Sequence, residues 1–404
     1  MRCKWYLYLA MLATLLAIGV IMLGAYVRLS QAGLGCPDWP GCYGHMSVPD
    51  THQAVARADA RYAGRPVEAA RAWKEMWHRY FAGSLALLIL LLAVAAWWRR
   101  WRDGWARTRA ARPLEVSAGA EGGMPGAAVP VQPVLLPTLL LLTVIFQALL
   151  GMWTVTLLLF PPVVMGHLLG GFATFALLVL LVLQSGNFLR AGDSATSLMR
   201  GLAVACLVVL ICQIALGGWV SSNYAGIACA DFPTCQGQWW PHMNFTAAFS
   251  WHGLGPDYQG GVLSDPARVA IQVSHRIGAL VTFLTLIMTS LVCLMKGPRP
   301  ALKWLGAVIG GLAVCQVGIG VSIVHLGLPL ALTDAHTGMA ALLLASVVTL
   351  NWAAWARPVS LPSCRWQVGP AERAAREGRP GTPPHQAGMR STAEPVTPDS
   401  TSST

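Results

Sequence analysis

Eight separate stretches of this chain stay apolar long enough to cross about 30 Å of hydrocarbon, roughly 20 residues each. They lie near residues 5–29, 76–98, 134–158, 162–189, 199–221, 269–295, 301–324 and 332–355. A chain with so many spans must satisfy its backbone polar groups within each segment, which predicts an all-α integral membrane protein of eight transmembrane helices. Composition agrees, with 11% charged residues against about 25% in an ordinary soluble domain. The net charge of +11 raises nucleic acid as a partner only until the basic residues are placed. They fall in short loops and a tail between apolar spans, the distribution that membrane orientation produces. No small-residue cleavage site follows the first span, so it reads as a retained helix and not a signal peptide.

The connection after the second span carries Arg99, Arg100, Arg102, Arg107, Arg109 and Arg112, and the one after the sixth carries Lys296, Arg299 and Lys303. The long loop from about 30 to 75 instead balances its basic residues with Asp38, Asp50, Asp59, Glu68 and Glu75. Both termini are therefore expected in the cytoplasm, with the long loops on the periplasmic side of a cell (inner) membrane. Residues 113–133 are rich in Gly, Ala and Pro, and 358–404 in Pro, Ser, Thr and charge. Neither buries enough apolar surface to offset chain entropy, so the connection over about 99–133 and the tail are expected to be disordered.

The chain is also written twice. LGAYVRLSQAGLGCPDWPGC at 23–42 matches LGGWVSSNYAGIACADFPTC at 216–235, at a constant offset of 193. His78-Arg79 then matches His275-Arg276, and Gln147, Gly151 and His167 match Gln316, Gly320 and His336. Each half starts from the same side and contributes four spans. Two pseudo-symmetric four-helix bundles are expected, 1–189 and 190–357, related by an axis along the membrane normal.

Of ten histidines, only His78, His167, His275 and His336 recur in both halves, each near the outer end of an even-numbered span. Two imidazoles facing inward across one bundle suit the axial positions of a haem iron. The plain alternative is a histidine that bonds a neighbouring helix, but polar side chains in hydrocarbon are costly and usually functional. A zinc site lacks a Glu or Cys to complete it in either half. The halves differ at one ionisable position. Glu75 lies on the same helix face as His78, whereas Gln272 holds the matching place before His275. A carboxylate there shuttles protons or stabilises a developing cation, unless it is only a helix-start acid favoured by the dipole. Arg28 has Ser221 as its counterpart and meets a haem propionate or marks the interface; Arg79 and Arg276 are further propionate candidates at a suitable depth.

Cys36 and Cys42, and Cys229 and Cys235, lie in outward loops where disulfides persist, each pair with a proline between. Structural disulfides are expected, with a redox role for Cys36–Cys42 as the alternative. Cys3, Cys206, Cys212, Cys293, Cys315 and Cys364 read as reduced packing residues. His325, Met165 and Asp334 lack counterparts of their own type; His45, His52, His242 and His252 read as solvated loop residues, and Gln147 and Gln316 as interhelical hydrogen bonders.

The stretches GAYVRLSQAGLGCPDWPGC, EMWHRYFAG, MGHLLGGF, QVSHRIGAL and DAHTGMA, in this order over about residues 5–355, resemble the haem A synthase family. The resemblance implies an oxidoreductase acting on a CH3 group, which turns a methyl of haem O into the formyl of haem A with water as oxygen source, for cytochrome oxidase assembly. It implies that haem O is received between His78 and His167, with Glu75 as the assisting acid, and that His275 and His336 ligate a haem b that relays electrons. It implies that the first cysteine pair matters for turnover and the second for structure, and that the haem O synthase (a farnesyltransferase) hands over the substrate. The electron acceptor is not encoded, and a homo-oligomer stays open. Two rivals remain: a di-haem b-type quinol or electron-transfer cytochrome, and a non-enzymatic haem carrier in oxidase assembly.

Overall fold

The computed structural model describes residues 4–110, 134–186, 188–189, 195–250 and 253–355, without the side chains of 103–110. The segments 113–133 and 358–404, together with Cys3, His252 and Cys364, lie outside the described residues. Ten helices follow one another: α1 Lys4–Leu29, α2 His52–Arg61, α3 Ala69–Ala110, α4 Leu135–Thr156, α5 Pro161–Gly186, α6 Ser197–Ser222, α7 Phe245–Phe249, α8 Asp265–Lys296, α9 Pro300–His325 and α10 Leu330–Trp355. Eight of them, all but α2 and α7, are long and apolar enough to span a bilayer. The protein is a multi-pass, all-helical membrane protein.

Helix ends follow local chemistry more closely than hydropathy does. The α8 helix starts at Asp265, ahead of its apolar run, because Ser264, Asp265 and Pro266 form a favourable first turn. The Thr196 side chain caps α6 by accepting from the Met199 N–H at 3.3 Å. The α3 helix runs past Arg99 to Ala110, so the first twelve residues of the connection expected to be disordered are helical. Loss of hydropathy does not end a helix whose residues still favour it, and the Arg99 guanidinium stacks over the Trp5 and Tyr6 rings of α1.

Within the first half, α1 packs on α3 and α5, and α4 on α3 and α5; within the second, α6 packs on α8 and α10, and α9 on α8 and α10. The halves meet through α1–α10, α5–α10 and α5–α6, a set of pairs that exchanging the halves leaves unchanged. That is compatible with two related four-helix bundles. Ala10, Ala13 and Ala17 form a fully packed small-residue stripe on α1, where helices in hydrocarbon gain most from close approach. Leu12, Leu15, Leu87 and Leu284 face outward and exposed, as lipid-facing side chains do.

The duplication extends to the backbone. One proline in each cysteine loop follows a cis peptide bond, Trp39–Pro40 in the first and Phe232–Pro233 in the second. Positive φ recurs at Gln31 and Tyr224, Tyr43 and Gln236, Gly44 and Gly237, and Leu159 and Leu328. Each loop closes with one isolated bridge, Cys42 to His45 and Cys235 to Gln238. The first loop has a small core of its own, in which Cys36, Cys42, Tyr43, Val48 and Ala58 are buried against Ala72 and Met76 of α3. The α2 helix, hidden in a polar stretch of sequence, supplies Ala58 to that core.

Candidate functional site

Residues 75, 78 and 79 fall on one face of α3, and the first cysteine loop sits directly on that face. Gly35 makes the approach: a Cβ there would stand 2.6 Å from the Arg71 carbonyl carbon, so only glycine lets the loop lie on the helix backbone. Cys36 and Cys42 are joined in a disulfide with Cα atoms 4.9 Å apart, and Cys229 and Cys235 in another at 4.7 Å.

Glu75 is buried, 5% exposed, beneath this loop. Its Oε2 accepts the Cys36 backbone N–H at 2.9 Å, and its Oε1 is ion-paired with Arg79, one turn on. Arg79 also donates to the carbonyls of Asp38 at 2.9 Å, Pro40 at 3.2 Å and Gly41. A buried carboxylate is tolerable only when its charge is paired and its lone pairs are met, and here both conditions hold. In the second half, Arg276 donates to the Thr234 carbonyl at 2.7 Å and the Cys229 carbonyl at 3.1 Å. Gln272 is buried there without a hydrogen bond to its Oε1. The loops share one further staple. Asp38 accepts the Tyr43 and Gly44 N–H groups, and Asp231 those of Gln236 and Gly237. The Thr234 hydroxyl, followed by the Gly237 N–H, holds the Asp231 carboxyl below the ordinary carboxylate range.

His78 on α3 and His167 on α5 face each other across the first bundle, ring centres 6.4 Å apart and planes at 85°. Two imidazoles sharing one metal, each with a nitrogen about 2.0 Å from it, place their ring centres roughly 6 Å apart, close to the separation found here. Neither Nδ1 completes a hydrogen bond in this buried setting. The second bundle carries His275 on α8 and His336 on α10. There each ring is held by an amide. Gln213 Nε2 lies 3.1 Å from His275 Nδ1, and Gln316 Nε2 lies 3.1 Å from His336 Nε2.

The residue at the repeat position of Gln213 is Val20, whose backbone is all that α1 turns to His78 there. Gln147, the counterpart of Gln316, reaches elsewhere. Its Nε2 occupies space that a Cβ on Gly170 would fill, at 1.6 Å, and it makes no hydrogen bond. The equivalent of Gly170 is Met339. Gln316 thus fits the expected interhelical role, and Gln147 does not. Gln213 escaped sequence reasoning because the repeat was read for its matches, and Gln213 is a mismatch.

The three arginines expected near propionates each donate to backbone carbonyls, and the Nε atoms of Arg28 and Arg276 are buried without a hydrogen bond. Arg28 donates to the Ser221 carbonyl at 2.8 Å and stacks over Tyr224 at 4.1 Å, joining the halves as the interface alternative foresaw. Arg79 and Arg276 are taken up by their loops. His325 packs on Phe232, Met165 on Gly218, and Asp334 keeps a buried Oδ1 without a hydrogen bond. Of the thiols, Cys206 and Cys293 are buried, as packing residues should be, whereas Cys212 and Cys315 lie exposed on helix surfaces.

The family model described as cytochrome oxidase assembly protein, COX15-CtaA, matches residues 7–348. The chain is 40% identical to a heme A synthase of Shewanella oneidensis, over 88% of this chain and 97% of that one. It is 24% identical to a heme A synthase of Rhizorhabdus wittichii, over 84% and 90%. It is 25% identical to a heme A synthase of Halalkalibacterium halodurans, over 81% and 91%.

Proposed function

Because the chain belongs to the COX15-CtaA family of cytochrome oxidase assembly proteins, we propose that it is a haem A synthase. It oxidises a methyl group of haem O to the formyl group of haem A. The observation that carries this is a buried carboxylate three residues from one member of a histidine pair spaced for a single iron, in one half only. Haem O, the substrate, takes the His78–His167 cage, and Glu75 acts on it. His275 and His336 are the pair that would hold a haem b, whose bound iron supplies one-electron redox chemistry.

Becoming a formyl group, the methyl carbon gives up electrons and protons and takes its oxygen from water. Loss of electrons next to a conjugated ring builds positive charge at that carbon, and a fixed carboxylate stabilises it. The same carboxylate accepts a proton from the attacking water. Arg79 and the Cys36 N–H hold the Glu75 carboxylate in place, and the loop above keeps bulk water off it. In this reading the cysteine loops face the periplasm and both termini the cytoplasm of the inner membrane; the haem O synthase delivers the substrate, and an external acceptor takes the electrons.

The test is pigment extraction from purified protein. Glu75→Ala is expected to keep its haem b and stop forming haem A, a loss of about 10²–10⁴-fold for a general acid–base group. Haem A at normal levels in that variant overturns the assignment, as do two b-type haems in fixed ratio with no haem O or haem A in the parent protein.

A further inference from the structure

Each of the four cage histidines is met by a glycine on the neighbouring helix: Gly24 of α1 meets His78, Gly151 of α4 meets His167, Gly217 of α6 meets His275, and Gly320 of α9 meets His336. In every case the ring carbon Cε1, between the two nitrogens, is the atom nearest to where a side chain would begin. A Cβ on Gly24 would stand 2.8 Å from that carbon, and on Gly151, Gly217 and Gly320 it would stand 3.3, 3.3 and 3.2 Å away. Glycine in a membrane helix commonly serves to bring two backbones together. Here the nearest atoms to the added carbon belong to the imidazole in all four cases, and at Gly217 and Gly320 no other neighbour outside the glycine's own helix turn comes within 4 Å, so the space serves the ring. The repeat is also regular in register. Val20, Gln147, Gln213 and Gln316 each stand four residues before one of these glycines, one turn away on the same face. Two of the four reach the ring with an amide.

We propose that Gly24, Gly151, Gly217 and Gly320 are positioning residues for the iron ligands. Each leaves a side-chain-sized niche that sets the rotation of one imidazole and so decides where its nitrogens point. Ligand orientation governs how strongly an imidazole binds its metal, and glycine is the one residue that leaves the niche open. The proposal rests on the haem-ligand reading of the four histidines given above. It adds residues that touch neither the iron nor the reacting methyl.

The test uses the full-length protein in detergent, with single Gly→Ala variants and optical and electron paramagnetic resonance spectra. Gly217→Ala and Gly320→Ala are expected to shift the low-spin haem signature and lower haem b retention about 10–100-fold, the usual effect of disturbing a ligand's support. Gly24→Ala is expected to leave that signature intact, which also reports correct folding, while added haemin no longer yields a second low-spin species and haem A output falls at least tenfold. Gly151→Ala, with a milder clash, reads the same cage should Gly24→Ala fail to accumulate. Gly19→Ala and Gly318→Ala, on the same helices as Gly24 and Gly320 with open space around them, are expected to behave as the parent. Parental spectra in all four niche variants overturn the proposal, as do losses in the two controls equal to those in the niche variants. Should His275→Ala and His336→Ala also leave the haem spectrum unchanged, it is the ligand reading itself that has failed.

Discussion

Arg79 and Arg276 hold the same place on α3 and α8, and each ties its helix to the carbonyls of a disulfide loop, yet only Arg79 also pairs with a carboxylate. The first half combines a buried acid with imidazoles that no side-chain amide holds. The second half combines a neutral Gln272 with imidazoles held by Gln213 and Gln316. The clamp, the loop and the glycine niches are common property, so the scaffold requires them. The charge and the amides are where the halves differ. A buried carboxylate costs stability unless paired, which makes sense only where chemistry generates a charge for it to meet. In the proposed reading a resident haem suits imidazoles that carry amide support beyond the glycine niche, whereas a cage that exchanges its haem has the niche without the side-chain amide.

Breaking the clamp separates the halves most. Arg79→Leu leaves Glu75 buried without its ion-pair partner, a loss of about 3–5 kcal/mol for a broken buried pair. Arg276→Leu removes hydrogen bonds to carbonyls and a stacking contact over Phe232 but breaks no ion pair with a buried acid on its own helix, and its expected cost is smaller, about 1.5–3 kcal/mol. Thermal unfolding of the two purified variants compares them directly, and equal losses would show that the acid adds nothing to the first clamp. The disulfides sharpen the contrast at a smaller scale. Opening either six-residue loop costs roughly 2 kcal/mol in the chain-entropy model. Cys36→Ser with Cys42→Ser also frees the Cys36 N–H from Glu75, so haem A output is expected to fall further than stability alone accounts for. Cys229→Ser with Cys235→Ser is expected to lose stability and keep output per folded molecule. Matching the two double variants for stability and finding equal turnover would place Glu75 outside the influence of its loop.

How much of this was legible in the sequence depended on whether the signal was a repetition or an exception. Eight spans, two loops and four histidines could be read because hydropathy and duplication mark them redundantly. The meeting of His78 with His167 also followed, since parallel helices in one bundle bring equal depths together. The extension of α3 beyond Arg99 did not follow, because hydropathy reports the bilayer and not helix propensity. The α2 helix was hidden for the complementary reason, being too short and polar to show an apolar period. The glycines were visible only as markers of the repeat; that each faces an imidazole needs helix rotation, which a sequence of near-uniform apolarity does not encode. The carbonyls that Arg79 and Arg276 reach were not legible either, because they belong to loops whose path no periodicity predicts.

The smallest expected effect tests the division of labour between the cages most finely. Gln213→Val gives the second half the residue that the first half carries at Val20, removing the amide from His275 Nδ1 and from the His275 carbonyl. Losing such a ligand support commonly weakens metal retention by 10–100-fold, and because Gly217 still seats the ring and Gln316 still holds His336, the lower end of that range is expected. The exchange of haem b into an acceptor protein such as apomyoglobin measures it. The reciprocal Val20→Gln offers His78 an amide and is expected to slow release of haemin from the first cage, leaving haem b exchange unchanged. If both variants exchange at the parental rate, amide support does not distinguish the cages, and the difference between a resident and a passing haem must come from Glu75 and its loop alone.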